Sequence, residues 1–190
     1  MITTKIYYLH TFIFICWGCI ILILMSCSNE DPKAPPITAE NTFSCKINGE
    51  LFVPEDRGGF PVILKGITTN LTNNNSWLFI FRNQSRDIFI YITDVIETGE
   101  YLLTKSEGNG DFFGKNKNLM EMDVSTDSSD ISHISSDQSG KIKVLELELN
   151  KRIILQFDEI ILEDKNDPEK TIVLTEGKLN INLETFFEDE

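Results

Sequence analysis

From Asn41 to its last residue, Glu190, the chain contains no alanine. Its two alanines, Ala34 and Ala39, lie just before that stretch. Alanine is the strongest helix former, and the same stretch is rich in Ile, Val, Thr and Phe, whose branched or bulky side chains fit a pleated sheet better than a helix. Long helices are therefore excluded, and β-structure is expected over residues 42–190. The apolar pattern agrees. Phe43, Cys45 and Ile47 alternate, Asn48-Gly49 follows, and a second short run begins at Glu50. Asn-Gly between two such runs is a strong local signal for a hairpin. Residues 77–81 (WLFIF) and 88–92 (IFIYI) are continuous apolar runs, which suit central strands covered on both faces.

Further strands are expected at 62–64, 99–103, 142–149, 152–162 and 171–183. The phase slips at Val144-Leu145, which predicts a bulge after Ile142. Residues 106–118 and 125–139 are dominated by Gly, Asn, Asp and Ser and read as loops. About nine or ten strands joined by short turns make an all-β domain, a single antiparallel β-sandwich or partly closed barrel.

The first residues belong to a different class. Residues 12–25 (FIFICWGCIILILM) are apolar without interruption by charge. Fourteen residues suit the core of a signal peptide better than a membrane span, which needs about 20. The run ends in Leu24-Met25-Ser26-Cys27, which resembles the bacterial lipobox, where the Cys thiol is acylated and the peptide is cut just before it. Two or more acyl chains, palmitate among them, hold a protein stably where one does not. The competing reading is an uncleaved anchor over 7–25, interrupted by His10, Thr11 and Gly18. The organisation expected is a signal peptide at 1–26, a flexible Pro-rich tether at 27–41 and a β domain at 42–190. In the tether, Ser28, Glu30 and Asp31 directly follow the lipidated Cys27. A Ser followed by acids there resembles the export signal of Bacteroidota lipoproteins, which implies the outer membrane and a domain facing the cell exterior.

A wider resemblance then emerges. The lipobox and tether, residues 43–54 (FSCKINGELFVP), 99–103 (GEYLL), the hairpin over 141–162 and a closing 173–181 (VLTEGKLNI) look like a flavobacterial-type group of Bacteroidota lipoproteins defined by a domain of unknown function. The chain departs from that pattern at Lys178-Leu179, where an aromatic is expected after the glycine. It departs again at 154–157 (ILQF), in place of a small-aromatic step. The resemblance implies a location and a fold. It brings no catalytic, cofactor or metal residues.

Charge and composition exclude several functions. With 30 Asp+Glu against 17 Lys+Arg, the net charge is −13, and an acidic chain repels nucleic acid. Beyond residue 26 the only histidine is His133, in the polar stretch 129–135. Nucleophilic catalysis by a Ser–His or Cys–His pair would have to use it, and zinc has no His/Cys cluster to bind. Cys45 alternates with Phe43 and Ile47 and reads as a small buried hydrophobe. The acidic turns at 164–169 and 127–137 do not match the twelve-residue calcium loop. Carboxylates are numerous, but no spacing singles out a catalytic pair.

Aromatic candidates for a sugar-binding face are Trp77, Tyr91, Tyr101, Phe112 and Phe113. Trp77 and Tyr91 lie in strand runs and read as core. Phe112-Phe113, in a glycine-rich loop, reads as pinned into the core or exposed for contact. The expected function is a non-catalytic binding or scaffold module held to the membrane by lipid, with a glycan or protein ligand. The alternatives are a carboxylate-based glycan-acting enzyme and a purely structural envelope component.

Overall fold

The computed structural model describes residues 33–59, 62–72, 74–108, 110, 112, 116–126 and 129–186. The expected signal peptide, Cys27, the export residues Ser28, Glu30 and Asp31, and Phe113 lie outside the described residues. Residues Ala34–Glu190 form one compact unit.

The strands follow in order: β1 (Thr42–Ile47), β2 (Glu50–Phe52), β3 (Arg57–Gly59), β4 (Val62–Leu64), β5 (Ile67–Leu71), β6 (Trp77–Arg82), β7 (Arg86–Ile92), β8 (Gly99–Leu102), β9 (Leu119–Ser125), β10 (Asp130–Glu148), β11 (Arg152–Asp164) and β12 (Thr171–Asn182). A single helical turn, α1 (Leu183–Phe186), follows β12. Ten strands make one antiparallel sheet in the order β2–β1–β12–β11–β10–β9–β7–β6–β5, with β8 paired to β10. The sheet curls into a half-barrel. β3 and β4 form a separate small hairpin.

The β1–β2 hairpin turns at Asn48-Gly49, both with positive φ (49° and 85°). A two-residue turn of this kind matches the right-handed strand twist, which is why Asn and Gly are needed there. The inner face of the sheet carries Phe43, Cys45 and Ile47 from β1, Trp77, Phe79 and Phe81 from β6, and Ile88, Ile90 and Ile92 from β7, all buried. Across the inside of the curl, the Phe43 ring stacks on Phe81 with centroids 3.7 Å apart. Aromatic pairs of this kind add about 1 kcal/mol to their burial.

A second apolar layer lies on the outer face of β6, β7 and β9. Leu78, Tyr91, Phe112 and Leu119 are buried together there, with Ile80 and Phe89 packed against them. Phe112, between β8 and β9 in the chain, sits 5.7 Å from Phe89 and 6.1 Å from Tyr91, centroid to centroid. Both faces of β6 and β7 are thus covered, which accounts for their unbroken apolar runs.

Two sequence expectations need correction. Residues 125–139 read as loop, yet 130–139 are the first half of the long strand β10, paired to β9 from Asp130↔Ser125 to Ile134↔Glu121. The polar residues belong in the sheet because they have internal partners. Ser132 Oγ donates to Asp123 at 2.6 Å. Ser135 Oγ donates to the Thr104 carbonyl at 2.7 Å and accepts from the Met120 amide at 3.1 Å. The strand is polar because it underlies a loop and bonds to it. The irregularity expected after Ile142 is present, since the β10–β11 register shifts between Gly140 and Lys143, and it shifts again between Val144 and Glu146. The last part of the stretch expected as a tether is also engaged. Asn180 Nδ2 donates to the Ile37 carbonyl at 3.0 Å, and the Asn182 amide donates to Asn41 Oδ1 at 3.0 Å.

β12 has its own bulge. Its register with β1 shifts between Ser44 and Lys46, opposite Glu176, whose φ is 55°. The next residue, Gly177, pairs across the sheet with Phe157 of β11. A Cβ at Gly177 would lie 2.1 Å from the Phe157 ring. The ring therefore lies over the glycine and fills the space a side chain would take. Gly177→Ala should destabilise the domain by about 2 kcal/mol through overpacking. Most of that cost should vanish in a Phe157→Ala background, because the two residues share one space. Urea unfolding of the four members of that cycle measures it, and additive effects would contradict the packing account.

Candidate functional site

A curled sheet that does not close has two edges, and the sequence makes them unlike. One edge is β2, three residues long and followed by Pro54. Its Glu50 is ion-paired to Arg86 of β7 at 3.0 Å. Charge, proline and short length are the ordinary means of closing an edge to further pairing. The other edge is β5 (ITTNL), which carries no charge and no proline.

The direction of each β5 peptide group follows from its hydrogen bonds. The Arg82 amide donates to the Gly66 carbonyl at 2.7 Å, and the Thr72 amide to the Ser76 carbonyl at 2.9 Å. Residues 66 and 72 thus face β6. Because the direction alternates, Thr68 and Asn70 face β6 as well. The N–H and C=O groups of Ile67, Thr69 and Leu71 point the other way. Among the described residues, β5 pairs with β6 alone.

Beside this edge lies a seam in the half-barrel. The side chains of Ile67 and Leu71 pack at the rim of the inner core, together with Leu183 and Phe186 of α1. Two recesses open along it. One, of about 510 Å³, is lined by Thr69, Asn70, Leu71 and Leu183. The other, of about 310 Å³, is lined by Asn41, Pro54, Asp56, Lys65, Gly66, Ile67 and Phe186. Thr69 is 9% exposed, and its buried hydroxyl has no hydrogen-bond partner among the described residues. An unsatisfied buried hydroxyl costs on the order of 1–3 kcal/mol, so it is a feature that needs an account.

The outer face carries a row of polar groups. Arg82, Asp87, Asp123 and Ser132 stand opposite one another on β6, β7, β9 and β10. Arg57 of β3 reaches Asp87 at 2.7 Å, and Arg82 Nε lies 3.7 Å from the same carboxylate. Burial pushes the Asp87 carboxyl above its ordinary value, and Asp123 alongside adds to that, while the two arginines oppose it. The group ties the β3–β4 hairpin to the sheet. Ser106 is bonded to the buried Glu121 beneath the same loop that holds Phe112.

A third feature is an open groove of about 400 Å³ on the strands β8, β10 and β11, with Glu100, Asp137, Asp158 and Glu159 on its walls. Lys141 bonds to Glu100 at 2.8 Å and holds that carboxyl below its ordinary value, hence ionised. A glycosidase acid needs the reverse, a raised value that keeps its proton.

The residues singled out in the sequence are dispersed. Cys45 is buried in the inner core, and burial pushes its thiol up to about 12, away from the reactive thiolate. His133 lies on the inner face of β10, opposite Met122 and Asp164. Trp77 and Tyr91 are core residues, and Phe112 is pinned in the outer layer. Tyr101 is half-buried, and its hydroxyl donates to the Glu97 carbonyl at 2.8 Å. The acidic turn at 164–169 closes on itself, since Asp164 accepts from the amides of Asn166 and Asp167. The β5 edge was not singled out in the sequence. The one signal for it was the absence of charge and proline from residues 67–71.

Comparison with known proteins returns no matching family model, no matching curated protein and no matching solved structure.

His133 supplies a pH dependence. Burial lowers its value below the ordinary 6.5, outweighing the pull of Asp164 and Asp123. The unfolded chain therefore takes up this proton first as pH falls. The stabilising difference is complete above about 6.5 and is lost as pH drops from there towards the folded value. Asp87, whose value is raised, acts in the opposite sense at lower pH. Urea midpoints should fall between pH 7 and pH 5, and His133→Gln should flatten that fall. An unchanged slope in the variant would contradict the assignment.

Proposed function

We propose that the chain is a lipid-anchored, non-catalytic binding module of the bacterial outer membrane, held by Cys27 and displayed outward through the signal at Ser28, Glu30 and Asp31. This is the arrangement that its resemblance to Bacteroidota lipoproteins implies. The observation that carries the binding reading is the seam at β5, which joins a neutral strand edge, two recesses and a buried hydroxyl, the edge and the hydroxyl both without a partner among the described residues. The titratable groups give the same direction. His133 and Cys45 sit apart in the inner layer, and Glu100 in the groove on β8, β10 and β11 is held ionised by Lys141. The glycan-acting alternative keeps one supporting feature, the four carboxylates around that groove.

The anchor has a direct test. Cells expressing the wild-type chain and fed labelled palmitate should yield a labelled, processed protein. Cys27→Ser should leave an unlabelled precursor of higher mass. Normal processing and labelling in the variant would overturn the anchor. Turnover of a glycan by the purified domain, abolished by Asp137→Asn or Glu159→Gln, would overturn the non-catalytic reading.

A further inference from the structure

We infer that β5 is a docking edge for an extended segment of another protein, which adds antiparallel or parallel to Ile67–Leu71 as an eleventh strand of the half-barrel. This rests on the reading of the domain as a binding module and names the chemistry of what it binds. The first reason is the backbone. Ile67, Thr69 and Leu71 present three N–H and three C=O groups on the side away from β6, in the spacing of a ladder. An extended peptide satisfies alternating donors and acceptors at that spacing, so the ligand is defined by its main chain.

The second reason is the unpartnered Thr69 hydroxyl. It is more than nine-tenths buried and lines the recess at the edge. A side chain of an incoming strand directly opposite would reach it, since cross-strand neighbours have Cβ atoms about 5 Å apart. The third reason is the seam itself. Ile67, Leu71, Leu183 and Phe186 make an apolar inner lip, while Thr68 and Asn70 face outward. An added strand would thus carry apolar residues at alternate positions towards the lip and polar residues between them.

Charge chooses between occupants. The chain beyond residue 26 keeps all 30 acids against 16 bases. Two copies meeting edge to edge would repel, whereas a segment flanked by Lys or Arg would be attracted. The occupant is therefore a cationic-flanked, alternating strand from a different protein.

The probe is a fluorescein-labelled peptide, KKVTVTVKK, titrated with the 34–190 domain and read by fluorescence anisotropy. Saturable binding that weakens with added salt is expected. The same peptide N-methylated along its centre keeps its side chains and charge but loses its N–H donors, and it should bind at least about tenfold more weakly. Thr69→Pro removes the central outward N–H of the edge and should cause a comparable loss, with the fold checked by circular dichroism. The N-methylated peptide keeps the test decisive if that variant fails to fold.

No binding, or binding indifferent to N-methylation, would overturn the proposal. So would a domain dimer in sedimentation that Thr69→Pro abolishes, because that would assign the edge to a second copy. Cleavage of the bound peptide would count against the non-catalytic reading alone, and absence of binding to an intact peptide would count against the docking edge alone.

Discussion

A sheet that curls without closing must leave two edges, and each edge strand then has a row of backbone donors and acceptors without a ladder partner. The rest of this structure can be understood from how that constraint is met. On the β2 side the strand is reduced to three residues, stopped by Pro54 and tied by Glu50 to Arg86. On the β5 side the strand is five residues long, neutral and free of proline. The asymmetry sits on one continuous core, since Phe43 of β1 stacks on Phe81 of β6 across the inside of the curl. The two halves of the sheet are therefore fixed relative to one another, and the seam between them keeps a set shape.

The strands that build this core are unusually long. β10, β11 and β12 span 19, 13 and 12 residues. Long strands in a tightly curled sheet must bend, and the bends occur where the register slips, in β10 between Ser135 and Glu146 and in β12 at Glu176-Gly177. At the second bend the Phe157 ring takes the place of a side chain at Gly177. A glycine that weakens a strand is thereby covered by an aromatic from its neighbour, and the curl is gained without an opening in the core.

Much of this fold was legible in the sequence, and for physical reasons. The Asn48-Gly49 turn, the alternation through Phe43, Cys45 and Ile47, and the two-sided apolar runs of β6 and β7 are local signals that tertiary structure reinforces. The first half of β10 was not legible. Ser132 and Ser135 look like loop residues, because their partners at Asp123 and Thr104 are brought to them by the fold. The engagement of Ile37 and Asn41 with Asn180 and Asn182 was hidden for the same reason, as their separation in the chain exceeds 140 residues. The β5 edge was hidden differently. A short neutral strand reads like any other until the topology places it last in the sheet.

The central claim is that β5 offers an open ladder, and amide hydrogen exchange of the free 34–190 domain tests it most directly. In a strand paired on one side, the amides of Thr68 and Asn70 are protected by β6, while those of Ile67, Thr69 and Leu71 have no ladder partner among the described residues. The account predicts slow exchange at 68 and 70 alternating with fast exchange at 67, 69 and 71. Uniform protection across all five residues would mean that the edge is already covered, and would contradict it.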